Sequence, residues 1–271
     1  MLDAARLNAA LASRPGLWRE VRVVAETGST NADLLAEARS GAQEGLVLVA
    51  EAQTSGRGRM GRRWVSPPRR SLTFSVLLRP GAVPAGLLGW MPLLAGVAVA
   101  SALRDTAGVD ARLKWPNDVL SGDAKLAGIL AERWGEAIVV GTGINVFQRR
   151  DELAVPTATS LLLAAPAAGT DMRERLLTAV LGELAHRYRA WLDQPRPGDA
   201  DGCGLREEYL RRSGTVGAAV TVMLPGGQHL TGRAVGIDAA GRLEMRTSAG
   251  LVRISAGDVV HLRETDTPAA E

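Results

Sequence analysis

Residues 53–64 read QTSGRGRMGRRW, an arginine–glycine loop that ends in a tryptophan. Six arginines fall between positions 57 and 70, with no acidic residue among them. Glycines let backbone N–H groups approach an anion closely, and arginines supply planar donors that stay charged. The loop alone leaves three interpretations open: a site for a small polyanion such as ATP, a nucleic-acid contact in which Trp64 stacks on a base, and a solvated basic loop.

The composition around this loop is that of an ordinary globular protein. The chain has 271 residues, of which 46% are apolar and 23% are charged, and its formal net charge is only +3. This length predicts one or two domains with a buried core. Because the positive charge is concentrated in one loop, the sequence favours a discrete site over a surface that coats nucleic acid.

Three features of the sequence predict the cellular location of the protein. Cys203 is the single cysteine, so no disulfide can form within the chain, which is typical of the reducing cytoplasm. The N-terminus lacks a basic start followed by an apolar run, so we expect no signal peptide. The most apolar stretch, residues 86–103, contains Pro92 and indicates a core helix, not a membrane span. We therefore predict a cytoplasmic protein with no membrane contact.

Hydrophobic periodicity predicts alternating helices and strands up to about residue 192, followed by a change of character. Helices are expected over 2–14, 29–39, 91–107 and 173–192. Strands are expected over 21–25, 46–50, 72–78, 112–115, 124–132 and 137–141. Five short strand-like runs between 216 and 263, separated by glycine-rich turns, predict a small barrel. The expected domains are 1–210 and 214–264, with a disordered tail at 265–271.

A second motif, KWPND at 114–118, places a lysine at the end of a predicted strand and before a rigid turn. Lys114 is a compact cation suited to a carboxylate, or to a phosphorus centre that gains charge. Asn117 could contact a base edge, and Asp118 could help to hold Mg²⁺. On these residues alone, a hairpin turn with a surface lysine explains the motif equally well.

Two glycine-containing motifs are compatible with ligand binding or with close packing of strands. Gly128 in KLAGIL (125–130) allows another group to approach the backbone, and Asn145 closes GTGIN (141–145) at a predicted strand end. The spacing of these glycines does not match a dinucleotide-binding fingerprint. Both interpretations therefore stay open for each motif.

Ser29, Thr30 and Asn31 stand at the start of a predicted helix. Their hydroxyl and amide groups could bind a polar ligand. They could equally cap the helix, with Thr30 and Asp33 as a capping-box pair.

Together these motifs resemble those of bacterial biotin protein ligases, the biotin–carboxyl-carrier-protein ligases. The matching stretches are TGSTN (27–31), EAQTSGRGRMGRRW (51–64), LKWPNDVL (113–120), KLAGIL (125–130) and GTGINV (141–146). The resemblance runs from about residue 21 to residue 263, in the family's order and spacing. Related lipoate ligases share the fold but lack the arginine–glycine loop.

The resemblance implies a fold and a reaction. The fold is α+β, with a catalytic domain of mixed β-sheet and helices like that of class II aminoacyl-tRNA synthetases, followed by an SH3-like β-barrel. The reaction joins biotin to ATP, with Mg²⁺, to give biotinyl-5′-AMP and pyrophosphate. The adenylate then biotinylates one lysine in the biotin carboxyl carrier domain of an acyl-CoA carboxylase.

The resemblance also implies roles for individual residues. Arg57, Arg59 and Lys114 would be catalytic, and together with Arg62 they would offset the repulsion between the biotin carboxylate and the α-phosphate. The expected biotin-binding residues are Ser29, Thr30, Asn31, Gln53, Gly56, Arg57, Gly58, Arg59, Lys114 and Gly128. The expected ATP- and adenylate-binding residues are Arg62, Trp64, Asn117, Asp118 and Asn145. Mg²⁺ is expected on the ATP phosphates, with Asp118 as the one candidate protein ligand.

Two alternatives stand beside the biotin ligase. A lipoate or octanoate ligase of the same fold would need a long apolar pocket. An RNA-binding module would use the arginine–glycine loop, Trp64 and the barrel, and its affinity would fall with salt. About two dozen residues precede the first motif, too few for a helix-turn-helix domain, so we expect no DNA binding and no repressor activity. The sequence is compatible with a monomer and with a homodimer.

Overall fold

The computed structural model describes residues 1–12, 16–166 and 169–261. The α-helices within these residues are α1 (Ala4–Ala12), α2 (Thr30–Arg39), α3 (Trp90–Ala107), α4 (Leu161–Ala164), α5 (Met172–Leu192) and α6 (Leu205–Arg212). The four predicted helices correspond to α1, α2, α3 and α5. The sequence pattern misses α6, because that helix is strongly polar and buries only Leu205 and Tyr209. Among the described helices, none has both the length and the apolar character needed to cross a membrane.

Seven strands form one mixed sheet in the order β1-β2-β3-β7-β6-β5-β4. They are β1 (Glu20–Val24), β2 (Leu46–Ala50), β3 (Ser71–Leu78), β4 (Arg112–Lys114), β5 (Asp118–Ser121), β6 (Ala124–Trp134) and β7 (Ala137–Asn145). β1 and β2 pair in parallel, and the other neighbours pair antiparallel. The predicted mixed sheet is confirmed, although the sequence pattern predicts only a turn where β5 lies.

Different helices cover the two faces of this sheet. On one face, Phe74 and Val76 of β3 share a core with α3, which is apolar along most of its length and buried. The apolar stripe of α5 packs against α3 from outside. On the other face, Leu77 of β3 packs against α2. Because side chains alternate along a strand, Thr73 and Ser75 share the α2 face with Leu77.

The C-terminal residues form a five-stranded antiparallel sheet in the order β11-β10-β9-β8-β12. Its strands are β8 (Ala219–Met223), β9 (His229–Ile237), β10 (Leu243–Thr247), β11 (Gly250–Ile254) and β12 (Asp258–His261). The five predicted runs correspond to these strands, and the SH3-like domain is confirmed. The expected tail at 265–271 lies outside the described residues.

Two buried tryptophans attach the C-terminal domain to the part of the chain that forms the seven-stranded sheet. Trp90 Nε1 donates to Ala239 O at 2.9 Å, and Trp115 Nε1 donates to Gly241 O at 3.1 Å. The backbone N–H of Trp115 also donates to Thr215 Oγ1 at 3.1 Å. Since Trp115 belongs to the KWPND turn, the C-terminal domain supports that motif directly.

The predicted end of β7 at residue 141 is wrong. The strand continues to Asn145, so GTGIN is part of it, and the predicted position of Asn145 at a strand end is confirmed. Gly141 and Gly143 pair in register with Ser75 and Thr73 of β3. Glycine weakens an isolated strand, but pairing on both sides holds these residues in the sheet.

The predicted capping-box pair at the start of α2 is also wrong. Ser29 is the N-cap, and its hydroxyl accepts a hydrogen bond from Ala32 N at 3.4 Å. Thr30 is the first helical residue, and Asp33 instead accepts a hydrogen bond from Thr27 Oγ1. The Thr30 side chain is therefore available to the α2 face of the sheet.

Candidate active site

The α2 face of the central sheet has a floor of mostly small residues where β3, β7 and β6 run side by side. Two cross-strand rows form this floor, Ser75–Gly141–Leu130 and Thr73–Gly143–Gly128. Small residues in adjacent rows leave room above a sheet that larger side chains would fill. We call this space the trough.

Glycine is required at two positions of the trough because other side chains lie directly on the backbone. A Cβ on Gly141 would stand 2.1 Å from Asn31 Oδ1, and one on Gly143 would stand 2.2 Å from Trp64 Cε2. The Trp64 ring also reaches Gly128, where a Cβ would lie 3.4 Å from Cζ3. Trp64 Nε1 is buried and has no hydrogen-bond partner within the described residues. The indole thus occupies the middle of the trough and carries a donor that a ligand could satisfy.

The arginine–glycine loop folds as a narrow hairpin. Gly58 N donates to Arg62 O at 2.7 Å, and Trp64 N donates to Gly56 O at 2.9 Å. A Cβ on Gly56 would lie 2.3 Å from Trp64 O, so this position requires glycine for the hairpin itself. At the tip, the exposed Met60 adopts a left-handed φ of 53°. The hairpin brings its arginines to one end of the trough.

Several cationic side chains lie close together at that end of the trough, and each disfavours the charged form of its neighbours. Burial lowers the pKa of Lys114; the Asp118 carboxylate opposes this shift, and repulsion by Lys125 adds to it. Burial and repulsion by Arg62 also lower the pKa of the Arg59 guanidinium. A site in which positive charges are desolvated and close together is stabilised when a polyanion enters.

Two carboxylates hold part of this cation cluster in place. Lys125 Nζ lies 2.6 Å from Asp118 Oδ1, and Arg62 Nη2 lies 2.8 Å from Asp258 Oδ1. Asp258 belongs to the C-terminal domain, which also accepts a hydrogen bond from Arg59 at the carbonyl of Gly257, at 3.4 Å. The C-terminal domain therefore holds two arginines of the cation cluster from outside the cavity.

The trough and the cation cluster open into a single cavity of about 370 Å³. The predicted site residues that line it are Thr30, Asn31, Gln53, Arg57, Gly58, Arg59, Arg62, Trp64, Lys114, Asn117, Asp118, Gly128 and Asn145. Ser29 and Gly56 are not among the lining residues, and the structure uses them to cap α2 and to close the hairpin.

Two of the lining amides are already bonded to the chain. Asn117 Nδ2 donates to Ile129 O at 3.0 Å, and Asn145 Nδ2 donates to Thr159 O at 2.9 Å. Asn145 Oδ1 accepts from Gln148 Nε2 at 2.9 Å. These side chains hold the walls of the cavity in position, so adenine binding by them stays a prediction.

Comparison with known proteins assigns the family. Residues 23–146 match the Biotin/lipoate A/B protein ligase family, and residues 215–262 match the Biotin protein ligase C terminal domain. Over 267 residues the chain is 45% identical to the biotin–[acetyl-CoA-carboxylase] ligase of Mycobacterium tuberculosis, an alignment that covers 97% of this chain and 96% of that protein. The chain belongs to the biotin protein ligase family.

A second relative and a solved structure agree. The biotin–[acetyl-CoA-carboxylase] ligase of Paracoccus denitrificans is 35% identical over 88% of this chain and 98% of its own length. The biotin protein ligase of Aquifex aeolicus, solved in complex with biotin and ATP, superposes with a TM-score of 0.75 at 30% identity, covering 91% of this chain and 100% of that one. The predicted family and fold are both confirmed.

Prediction from the sequence misses several residues of this biotin protein ligase site, among them Lys125, which lines the cavity, and Asp258, which pairs with Arg62. Lys125 opens the KLAGIL motif, and its position at the start of a strand beside KWPND is the signal that could have found it. Asp258 has no such signal, because 196 residues separate it from its partner Arg62. Only the docking of the two domains brings that pair together.

The site of this family member offers no resident metal centre among its described residues. They contain no group of three or more His, Cys, Asp or Glu side chains that could hold a metal ion. Asp118, the candidate Mg²⁺ ligand, is paired with Lys125, and a role of this carboxylate beside the ATP phosphates stays a prediction.

Proposed function

We propose that this chain is an ATP-dependent biotin protein ligase, which makes biotinyl-5′-AMP and transfers the biotinyl group to a lysine of a biotin carboxyl carrier domain. One observation carries the proposal. A single cavity combines a cluster of cations with depressed pKa values and a neutral, hydrogen-bonding trough. The cations suit the phosphates of ATP, and the trough suits the neutral ureido ring of biotin. The biotin ligase relatives support the same assignment.

In the first half-reaction, a carboxylate oxygen of biotin would attack the α-phosphorus of MgATP, and pyrophosphate would leave with the bonding electron pair. Both reactants are anions and repel each other. Arg59, Lys114 and Lys125 would offset this repulsion and stabilise the charge that builds on the phosphoryl oxygens. The step needs no protein nucleophile, and alignment of the two substrates can contribute up to about 7–11 kcal/mol.

In the second half-reaction, the neutral amine of the acceptor lysine would attack the acyl carbon of the adenylate. AMP would leave with the electron pair, and the amine nitrogen would lose one proton to solvent. The adenylate is a mixed anhydride that water destroys, so the hairpin over the trough would protect it. The relatives are named for acetyl-CoA carboxylase, and we propose an acyl-CoA carboxylase as the acceptor here.

Biotin fits the trough better than a lipoyl or octanoyl chain. Thr30 N and Thr30 Oγ1 both donate to Gln53 Oε1, at 2.9 and 3.0 Å, which leaves the Gln53 NH₂ group to meet a ligand carbonyl. The ureido group of biotin supplies that carbonyl. An alkyl chain would leave the Gln53 NH₂ group and the buried Trp64 Nε1 donor without partners, and an unpaired buried donor costs about 1–3 kcal/mol.

The RNA-binding alternative uses fewer of the observed features. It needs an open arginine–glycine loop and an exposed Trp64, whereas the loop is a hairpin and Trp64 lies on the trough. We also propose that the enzyme is cytoplasmic and that it does not bind DNA. Its oligomeric state is proposed to be a monomer or a homodimer. Sequence-specific binding of the purified protein to a biotin operator would overturn the part about DNA.

ATP–pyrophosphate exchange by the purified protein with Mg²⁺ tests the proposal, with biotin, lipoate and octanoate compared side by side. Exchange that requires biotin is the expected result. Exchange with lipoate or octanoate instead would keep adenylation and overturn the substrate. No exchange with any of the three, from folded protein, would overturn the proposed function.

A further inference from the structure

Glu132, on β6, is a carboxylate of the α2 face to which the reaction assigns no role. Its Oε2 accepts two hydrogen bonds, from Asn31 Nδ2 at 2.8 Å and from Arg57 Nη2 at 3.0 Å. Asn31 lies at the start of α2, and Arg57 lies in the arginine–glycine loop. One oxygen atom therefore joins the sheet, the helix and the loop beside the cavity.

These contacts belong to a closed ring that returns to the loop. Ser75 Oγ lies 2.6 Å from Asn31 Oδ1 and 2.7 Å from Thr30 Oγ1, and it shares its single hydrogen between them. Thr30 donates to Gln53 Oε1 by its backbone N–H and by its hydroxyl. The ring of side chains thus runs in the order Gln53, Thr30, Ser75, Asn31, Glu132 and Arg57.

The ring starts and ends in the same short segment, residues 53–57. One end of that segment is bonded to α2 through Thr30, and the other end is bonded to β6 through Glu132. Five of its six members are neutral or cationic, and Glu132 is the single anion. Hydrogen bonds to a charged acceptor are about twice as strong as those between neutral groups, so Glu132 is the member whose loss weakens the ring most.

We propose that Glu132 is a positioning residue, which holds Arg57, Asn31 and the Gln53 segment in the arrangement that binds biotin before biotin arrives. The inference rests on the proposed function, because biotin is the ligand of that arrangement. Pre-organisation of this kind lowers the entropy lost on binding. Glu132 acts on the affinity for biotin through its neighbours and leaves the phosphate-binding cations unaffected.

Kinetics of biotin-dependent pyrophosphate exchange test this role. Glu132→Ala removes the acceptor of both hydrogen bonds and is expected to raise the KM for biotin about tenfold, with the kcat and the KM for ATP changed by less than about twofold. Glu132→Gln keeps an acceptor oxygen but loses the charge, so its KM for biotin should lie between those of wild type and Glu132→Ala. Glu136→Ala, on the exposed β6–β7 turn, is the matched control and should behave as wild type.

Limited trypsin digestion of the ligand-free protein gives a second readout that needs no activity. Glu132→Ala should be cleaved faster than wild type after the arginines of the loop, with fragments identified by mass spectrometry, while cleavage of Glu136→Ala is unchanged. A purely structural role would lower the melting temperature and the active fraction without raising the KM for biotin. If Glu132→Ala does not fold, the KM for biotin and the tryptic cleavage rate of the isosteric Glu132→Gln variant test the role instead.

The outcomes separate this inference from the proposed function. Wild-type exchange that requires biotin, together with an unchanged KM and an unchanged cleavage rate in the Glu132 variants, would overturn the inference alone. Wild type without biotin-dependent exchange would overturn the proposed function and, with it, the role in biotin binding. Faster cleavage of the variant would then report only that Glu132 holds the loop.

Discussion

On one face of β3, Phe74 and Val76 pack with α3 in an apolar core. On the other face, Thr73 lines the ligand cavity, and the buried Ser75 bonds to Thr30 and Asn31, which line it too. The same strand therefore serves both purposes in alternate residues. The apolar face holds the fold together. The polar face, with its glycines and crowded cations, gives up packing area to make room for substrates. Substitutions on the two faces should accordingly change different measured quantities.

The largest effect is expected from Lys114→Ala at the cation end of the polar face. Loss of a cation that stabilises phosphoryl charge should lower kcat/KM in pyrophosphate exchange by about 10²–10³-fold. The melting temperature should hardly change, because burial already disfavours this charge. Arg104→Ala, an exposed cation on α3 behind the other face, is the control and should exchange as wild type. Equal losses in both variants would remove the distinction between the faces.

A paired substitution in β7 compares the two faces within one strand. Gly143→Val should displace Trp64 and lower exchange by about 100-fold, equivalent to about 2.7 kcal/mol, with little change in thermal stability. Val140→Ala, on the α3 face, should lower the free energy of unfolding by about 2 kcal/mol and leave kcat/KM per folded molecule unchanged. Calorimetry measures the stability of both variants, and exchange kinetics measure their activity, so the two opposite effects can be compared directly. A Gly143→Val enzyme with wild-type kinetics would contradict the role of the trough.

The pH dependence of exchange tests the electrostatics of the polar face. Lys114 must be protonated to act, and its pKa is lowered by burial, so activity should fall with rising pH sooner than for an exposed lysine. The Asp118 carboxylate raises that pKa, so Asp118→Asn should lower it further and shift the alkaline limb of the kcat/KM profile to lower pH. An alkaline limb that stays in place, or moves to higher pH, would show that Lys114 does not determine it.

The smallest effect is expected where the C-terminal domain contacts the polar face. Asp258→Asn removes the ion pair to Arg62, whose side chain is 55% exposed. Exposed pairs contribute about 0.2–1 kcal/mol, so tryptic cleavage of the loop should accelerate by no more than about fivefold. An unchanged cleavage rate would mean that the Asp258–Arg62 ion pair does not hold the loop.

Prediction from the sequence succeeds where the signal is local and periodic. The apolar run of α3, the stripe of α5 and the five C-terminal strands each follow from a repeat visible within a few residues. The pattern fails at β7, because Gly141 and Gly143 carry no side chain and so contribute no periodicity. It fails at α6, because that helix buries only two residues.

The sequence predicted which residue types form the site, but it did not predict which of these side chains contact one another. The arginine–glycine loop and KWPND identify the cations and the family. That Arg57 meets Glu132, 75 positions away, depends on how β6 and α2 lie together. Spacing along the chain holds no information about such a contact. The packing of α2 on the sheet and of the C-terminal domain on KWPND supplies it.

The indole N–H groups of Trp90 and Trp115 bond to carbonyls on one turn of the C-terminal domain, at Ala239 and Gly241. Removing that domain would expose two large aromatic rings and two unpaired donors to solvent. The two domains should therefore melt as a single cooperative unit, with one heat-absorption peak whose calorimetric and van't Hoff enthalpies agree. A chain shortened to the catalytic domain should aggregate, which makes the C-terminal domain part of the minimal folding unit of this enzyme.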